Sequence, residues 1–215
     1  MAFIILGILA LIAGIVLQKN EQVAPFAKVA RLVAVLLIIV GVLTKSVVQI
    51  NAGQIGVKTL FGKVQNDVLS SGLHFINPLM EVLSLDIKTQ NYTMSGVQDE
   101  GNRSADDAIR VLTADGLEVT IDLTVLYKLL PSEAPKLVRE TGEDYKDKIV
   151  RPLTRTKIRD NSVYYDAISL YSSKRDEFQQ RIFKSIEDDF KKRGLILEQL
   201  LVRNITLPLS VKATI

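Results

Sequence analysis

With no cysteine in its 215 residues, the chain can form no disulfide, no thiolate metal site and no cysteine nucleophile, and its single histidine leaves little scope for imidazole chemistry. Its 27 Lys and Arg against 24 Asp and Glu give a formal net charge of +3, too small and too evenly scattered to support a nucleic-acid partner. The length allows one ordinary domain plus an appendage, and the 47% hydrophobic content is concentrated near the N-terminus, leaving a polar, water-facing remainder.

The appendage comes first. Residues 2–17 (AFIILGILALIAGIVL) would form about 24 Å of helix against about 30 Å of hydrocarbon. They lack the basic leader and small-x-small cleavage site of a signal peptide, so the segment is expected to be retained. Residues 32–48 (LVAVLLIIVGVLTKSVV) are almost uninterrupted hydrocarbon, with Lys45 near enough to the end for its side chain to reach the headgroups. Between the runs, Lys19, Lys28 and Arg31 outnumber Glu21, and Pro25 interrupts a continuous helix. Residues 1–46 are therefore expected to form a membrane anchor, a helical hairpin with a basic turn. The positive-inside rule puts that turn in the cytoplasm and the domain outside it. Lys45, Lys58 and Lys63 weaken the bias, and the rival topology is a hairpin that dips into the cytoplasmic leaflet without crossing.

Residues 47–208 carry the signals of a folded domain. From Val47 the pattern alternates and is punctuated by glycine: a turn at Asn51, Ala52 and Gly53, a strand with Ile55, Val57 and Thr59 on one face, and a further turn at Gly62. Asn77-Pro78 leads into another half-buried strand, where Leu83, Leu85 and Ile87 alternate with Ser84, Asp86 and Lys88. A polar loop is expected over 98–107. Next comes the clearest hairpin, 109–114 and 117–129 about Asp115-Gly116, a dipeptide suited to a type I′ turn. On its outgoing strand Leu117, Val119, Ile121, Leu123, Val125, Tyr127 and Leu129 point one way and Glu118, Thr120, Asp122, Thr124 and Lys128 the other, one face core and the other wet or paired.

The second half turns helical. A short helix is expected over 133–140, ended by Gly142, and a longer one over 145–161 with Ile149, Leu153 and Thr156 on one side and Pro152 kinking it or marking its true start. Ser173 and Asp176 resemble a capping box opening a helix that buries Phe178, Ile182, Phe183, Ile186 and Phe190. Lys191, Lys192 and Arg193 complement that helix's dipole, and Gly194 ends it. A strand over 195–206 follows, closed by Pro208. Residues 209–215 suit the first turn of another helix.

The residues offer little chemistry. Asp106-Asp107, Glu143-Asp144 and Asp188-Asp189 are adjacent carboxylates whose side chains diverge, so each is expected to be solvated charge, and no metal site or cofactor site is expected. His74 is expected to be hydrogen-bonded near a turn. Ser70-Ser71-Gly72 lacks the G-x-S-x-G frame of a nucleophile elbow, and Gly53, Gly56 and Gly62 lack the spacing of a phosphate loop. Tyr164, Tyr165 and Tyr171, interleaved with Arg155, Lys157, Arg159 and Lys174, are expected to pack or to meet a partner. No catalytic residue is expected.

Four motifs in order resemble the SPFH or band-7 superfamily of stomatins, prohibitins and flotillins, and the prohibitin branch most. They are Gly72, His74, Phe75 and Pro78 (GLHFINP), Gly142 to Tyr145 (GEDY), Gly194 to Leu197 (GLIL), and the membrane run leading into NAGQIGV. The resemblance covers about 47–208. It implies an α+β domain of mixed or antiparallel sheet with packed helices, anchored beside the bilayer and followed by a coiled coil that 209–215 would begin. Prohibitins usually begin with one membrane segment, whereas this chain has two.

For function the resemblance implies a non-enzymatic membrane scaffold, assembling with copies of itself or a sister SPFH subunit into a ring or cage around a bilayer patch. Some members of the superfamily enclose a membrane-bound AAA+ protease. Charged residues opening the last helix, Lys174, Arg175, Asp176 and Glu177, are the candidates for the oligomer interface. The expected location is the bacterial inner membrane, with the mitochondrial inner membrane second. The alternative function is a membrane-tethered hydrolase whose site is assembled only by tertiary contacts.

Overall fold

The computed structural model describes residues 2–17, 24–97, 100–102 and 106–208. They fall into two compact units, one of residues 1–65 and 69–84, the other of residues 66–68 and 85–215.

The first unit opens with α1 (Ala2–Leu17) and α2 (Ala24–Ser46). Helix α2 starts eight residues before the apolar run and ends two before its close, so Pro25 opens the helix instead of interrupting it. In a first turn the missing N–H costs nothing. The two helices are antiparallel. A Cβ on Gly7 would lie 2.7 Å from Ile38 Cγ1, and one on Gly14 would lie 3.0 Å from Arg31 Cγ. Gly7 and Gly14 on α1, and Ala27, Ala34 and Gly41 on α2, recur every seven residues and are buried. The large aliphatics point outward instead, Leu32 being 70% exposed. Small residues inside and large ones outside is the arrangement expected of helices solvated by lipid. Ala27–Ser46 is long and apolar enough to cross a membrane, whereas α1 is shorter.

Helix α2 passes straight into β1 (Val47–Ile50), which pairs antiparallel with β4 (Gly72–Phe75). A three-stranded sheet follows in the order β3 (Lys63–Leu69), β2 (Gln54–Leu60), β5 (Met80–Asp86). At the β2–β3 turn both Phe61 (φ 48°) and Gly62 (φ 80°) are left-handed, the signature of a type I′ hairpin.

The second unit is built on the hairpin strand β8 (Glu118–Leu129). Strands β6 (Gln90–Met94) and β7 (Ile109–Leu112) pair with successive stretches of one edge, and β9 (Leu195–Thr206) runs along the other, all antiparallel. The β7–β8 turn departs from the type I′ expectation. Only Gly116 is left-handed (φ 74°), and its N–H donates to Thr113 O at 2.9 Å, making a type I turn closed by a left-handed glycine. Asp115 keeps ordinary φ because its carboxylate has other work: it accepts from Thr113 Oγ1 and from the Ala167 N–H.

Helix α3 (Ala134–Glu140) follows a 3₁₀ turn, and a π-helical turn at Lys146–Val150 leads into α4 (Arg151–Ser162). Pro152 therefore marks the start of α4. The π turn inserts one extra residue, which rotates the helix beyond it by about 100°. The buried stripe accordingly runs through Val150, Thr154, Ile158 and Ser162, while Thr156 is exposed and Leu153 half-buried, off the side expected from the sequence.

Short α5 (Ala167–Tyr171) precedes α6 (Arg175–Lys192). The expected capping box does not form. Lys174 is the N-cap residue and makes no side-chain cap bond, because the preceding turn belongs to α5. Phe178, Ile182, Ile186 and Phe190 are fully buried as expected, but Phe183 is only half-buried. Gly194 (φ 75°) ends the helix, its N–H donating to Lys191 O at 3.1 Å. The α6 stripe covers the core face of β8 and β9, where Tyr127 meets Phe190 and Tyr145 edge-on at 6.2 and 6.5 Å. Residues 209–215, expected to begin a helix, lie outside the described residues, as does most of the 98–107 loop.

Candidate functional site

Among the described residues, an exposed ribbon face in unit one and an ion cluster in unit two stand out. Val47 pairs with Phe75 and Gln49 with Leu73, so Val47, Leu73 and Phe75 share a face of the β1–β4 ribbon that opens directly off α2. The Ile76 N–H donates to Ser46 O at 2.8 Å, fixing Phe75 beside the helix end. That face is bare: Phe75 is 77% exposed and Leu73 more than half. Phe61, 84% exposed, is held at a positive φ that bulky residues rarely adopt. A soluble surface gains nothing from such residues, whereas the interfacial zone of a bilayer does.

His74 sits on the opposite face of β4, and its Nε2 donates to the Ser70 carbonyl at 2.7 Å. This is the turn hydrogen bond expected of it, made to a backbone oxygen and not to a hydroxyl. Among the described residues no group of three or more His, Asp and Glu gathers where a metal could be held.

In unit two Asp107 departs from the sequence reading of solvated charge. Its side chain is 4% exposed and receives Arg151 and, at 2.9 Å, Arg155 Nη1. Arg155 also donates to the Asp107 and Ala108 carbonyls, at 2.9 and 3.2 Å. Its own pKa is drawn down by burial, opposed by the Asp107 charge. The cluster ties the strand entering β7 to α4. It is a brace: both cations are spent on one carboxylate and on main chain. Asp106, its neighbour, stays exposed and pairs with Arg110, since side chains alternate along extended chain. Asp189 is bridged to Lys157 at 2.9 Å and to Lys192 at 3.2 Å, the Lys157 contact leading in holding its carboxyl below the usual range.

The four expected interface residues are placed at the start of α6, and three of them act within the chain. Arg175 Nη2 donates to Val202 O at 2.6 Å and Arg203 O at 3.1 Å, closing the outer edge of β9. Lys174 bridges Glu177 at 3.2 Å, and Glu177 also accepts from Tyr165 Oη at 3.1 Å. The Lys174 contact, then Tyr165, lowers the Glu177 pKa. Asp176 is exposed.

The tyrosines divide. Tyr165 is buried edge-on against Phe178, and burial pushes its pKa up. Tyr164 and Tyr171 are exposed, with the Arg181 guanidinium 4.2 Å over the Tyr164 ring. Leu112, Val163 and Ile168 are also at least half exposed. Sequence reasoning missed Leu112, Val163 and Ile168. Their only signal was an apolar residue at a solvent-facing phase of strand or helix.

Over residues 48–215 the chain matches the SPFH domain / Band 7 family. Among curated proteins it is similar to prohibitin 1 of Drosophila melanogaster, 22% identical over 147 residues, which cover 68% of this chain and 48% of the relative. The chain thus spans about half the length of the curated relative it matches.

Proposed function

The chain belongs to the SPFH/band 7 family, and from that premise we propose that it is a membrane scaffold whose copies associate side by side into a ring or cage around a patch of bilayer. The observation that carries this reading is the junction at Ser46–Val47. An apolar helix hands over to a strand with no linker residue, and the ribbon it enters bares Val47, Leu73 and Phe75 at the same place. The first unit, so attached, cannot swing away from its anchor and lies in the headgroup zone. What the described residues offer for action is surface, with no group of three or more His, Asp and Glu gathered for a metal. Assembly in two dimensions suits that inventory, because tethering raises the effective concentration of weak contacts.

In this reading the hairpin of α1 and α2 crosses a bacterial inner membrane with the basic turn inside and the domain outside, and the ring limits access to a membrane-bound AAA+ protease. Copies of this chain alone, or alternating with a sister SPFH subunit, build the wall. Residues 47–208 are the assembling domain.

Negative-stain electron microscopy of the full chain extracted in mild detergent tests assembly: rings or domes are expected, and uniform small particles would overturn it. The apposition of unit one is tested separately, and the absence of tryptophan from the sequence makes this simple. Phe75→Trp in vesicles should be quenched by lipids brominated just below the headgroup. Emission unmoved by those lipids would place the ribbon in water.

A further inference from the structure

We propose that a cleft in unit two, between the π turn leading into α4 and the end of α6, binds an extended acidic peptide, taking one carboxylate and a neighbouring apolar side chain. The cleft lies within a single copy and acts whether or not copies assemble.

The π turn is what makes the cleft. Its extra residue gives the core side of α4 to Val150, Thr154, Ile158 and Ser162, and leaves half-buried Leu153 and exposed Thr156 off that side. With Ile149 and Pro152 these two line a cleft of about 370 Å³, whose far wall is Asp189 and Arg193 from the end of α6. Single π turns inside helices recur at functional sites, because the inserted residue re-aims side chains that a regular helix would bury. The volume is at the low end of ligand-sized cavities, which suits one or two side chains of an extended segment.

The walls and the rim of the cleft select different parts of a ligand. Ile149, Pro152 and Leu153 are apolar, while Lys148, Lys157 and Arg193 face a single carboxylate, Asp189, three positive charges against one negative. Asp189 itself shows what these cations hold: its carboxylate accepts Lys157 at 2.9 Å and Lys192 at 3.2 Å. That occupies Lys157. Arg193 is exposed and its side chain has no partner among the described residues. Lys148 is held loosely, on the Thr141 carbonyl at 3.0 Å and on exposed Asp144 at 3.7 Å. A guanidinium fork matches a carboxylate in two parallel hydrogen bonds, so Arg193 is the primary contact and Lys148 the second charge. A bare inorganic anion gains nothing from the apolar wall, and an uncharged apolar group gains nothing from the cations. An acidic residue beside an apolar one uses both.

The probe is acetyl-Leu-Glu-Leu-amide carrying a neutral dye, and fluorescence anisotropy reads its binding to the full chain in a neutral detergent. Saturable binding is expected, with the same peptide carrying glutamine bound about tenfold more weakly. Arg193→Gln should weaken the acidic peptide by about tenfold. Asp189→Asn, which keeps the shape and releases Lys157 and Lys192, should tighten it. These opposite signs separate loss of the site from loss of the fold, since a damaged cleft cannot bind more tightly. No saturable binding, equal binding of the glutamine peptide, or Arg193→Gln without effect would each overturn the proposal. Displacement of the probe by an equal concentration of octanoate would give the cleft to acyl carboxylates and overturn the peptide assignment.

Discussion

At the scale of single residues, the Asp107 brace illustrates how tertiary context reassigns a side chain. Two adjacent aspartates are equivalent in the sequence, yet one is solvated and the other carries two guanidinium groups contributed from 44 and 48 residues away. Removing one partner of a buried pair leaves uncompensated charge. Asp107→Asn should therefore cost about 2–3 kcal/mol, discounted from the fully buried case because both arginines keep some water. A urea midpoint lower by about 1 M would show it. Tyr127 should behave in the opposite way. Burial, with smaller contributions from Tyr145, Tyr92 and Asp147, drives its pKa far above the tyrosine range, and its buried hydroxyl has no hydrogen-bond partner among the described residues. Tyr127→Phe should be neutral or stabilising by about 1 kcal/mol, since an unpaired buried hydroxyl is costly. A lowered thermal midpoint would contradict that.

At the scale of elements, the strand 195–206 and the helix α6 were legible because their apolar spacing and stop signals are local. What was not legible is where the periodicity slips. The buried residues of β9 are Leu195, Leu197, Leu200, Val202 and Ile205, which a strict alternation cannot produce. Irregularities in the β8–β9 register pass over Glu198 and Arg203, and each shifts the phase by one so that leucine and valine, not glutamine and arginine, face α6. The π turn before α4 does the same for a helix. Gly194 is the sharpest constraint at an element end: besides its positive φ, a Cβ there would lie 2.3 Å from Glu133 Cβ. Gly194→Ala should destabilise by more than about 1 kcal/mol. Adding Glu133→Gly should recover the steric part and leave the backbone part, separable by comparing the denaturation midpoints of the single and double variants.

At the scale of the whole molecule, unit two should respond to acid in a defined direction. The carboxyls of Asp189, Glu198, Glu177 and Asp166 are all held below their ordinary values, by Lys157, Lys128, Lys174 and the Ser169 N–H respectively. A lowered folded pKa means the unfolded chain binds the proton first. The stabilisation is therefore complete above the unfolded carboxylate values near ~4 and is lost as pH falls through the folded ones. Thermal midpoints should be level between about pH 7 and 5 and drop below about 4. A midpoint that rises on acidification would refute this assignment. On the alkaline side burial raises the Tyr145 and Tyr165 pKa values, so stability should fall as pH climbs past the free tyrosine value near ~10.

By itself the sequence determined the apolar hairpin, the long hairpin strand, the last helix and strand, the turn glycines and the family, because hydrocarbon runs, period and punctuation are properties of neighbours in the chain. Only the tertiary structure decided that the hairpin packs on Gly7, Gly14, Ala27 and Ala34 with its leucines outward, that Asp107 is buried, and that Arg175 closes a strand edge. It alone decided that Phe75 beside the membrane helix and Tyr164 beside β7 are left uncovered. Each of these depends on which distant residues meet. The energy of a buried charge or a bare aromatic ring is set by that company and not by position along the chain.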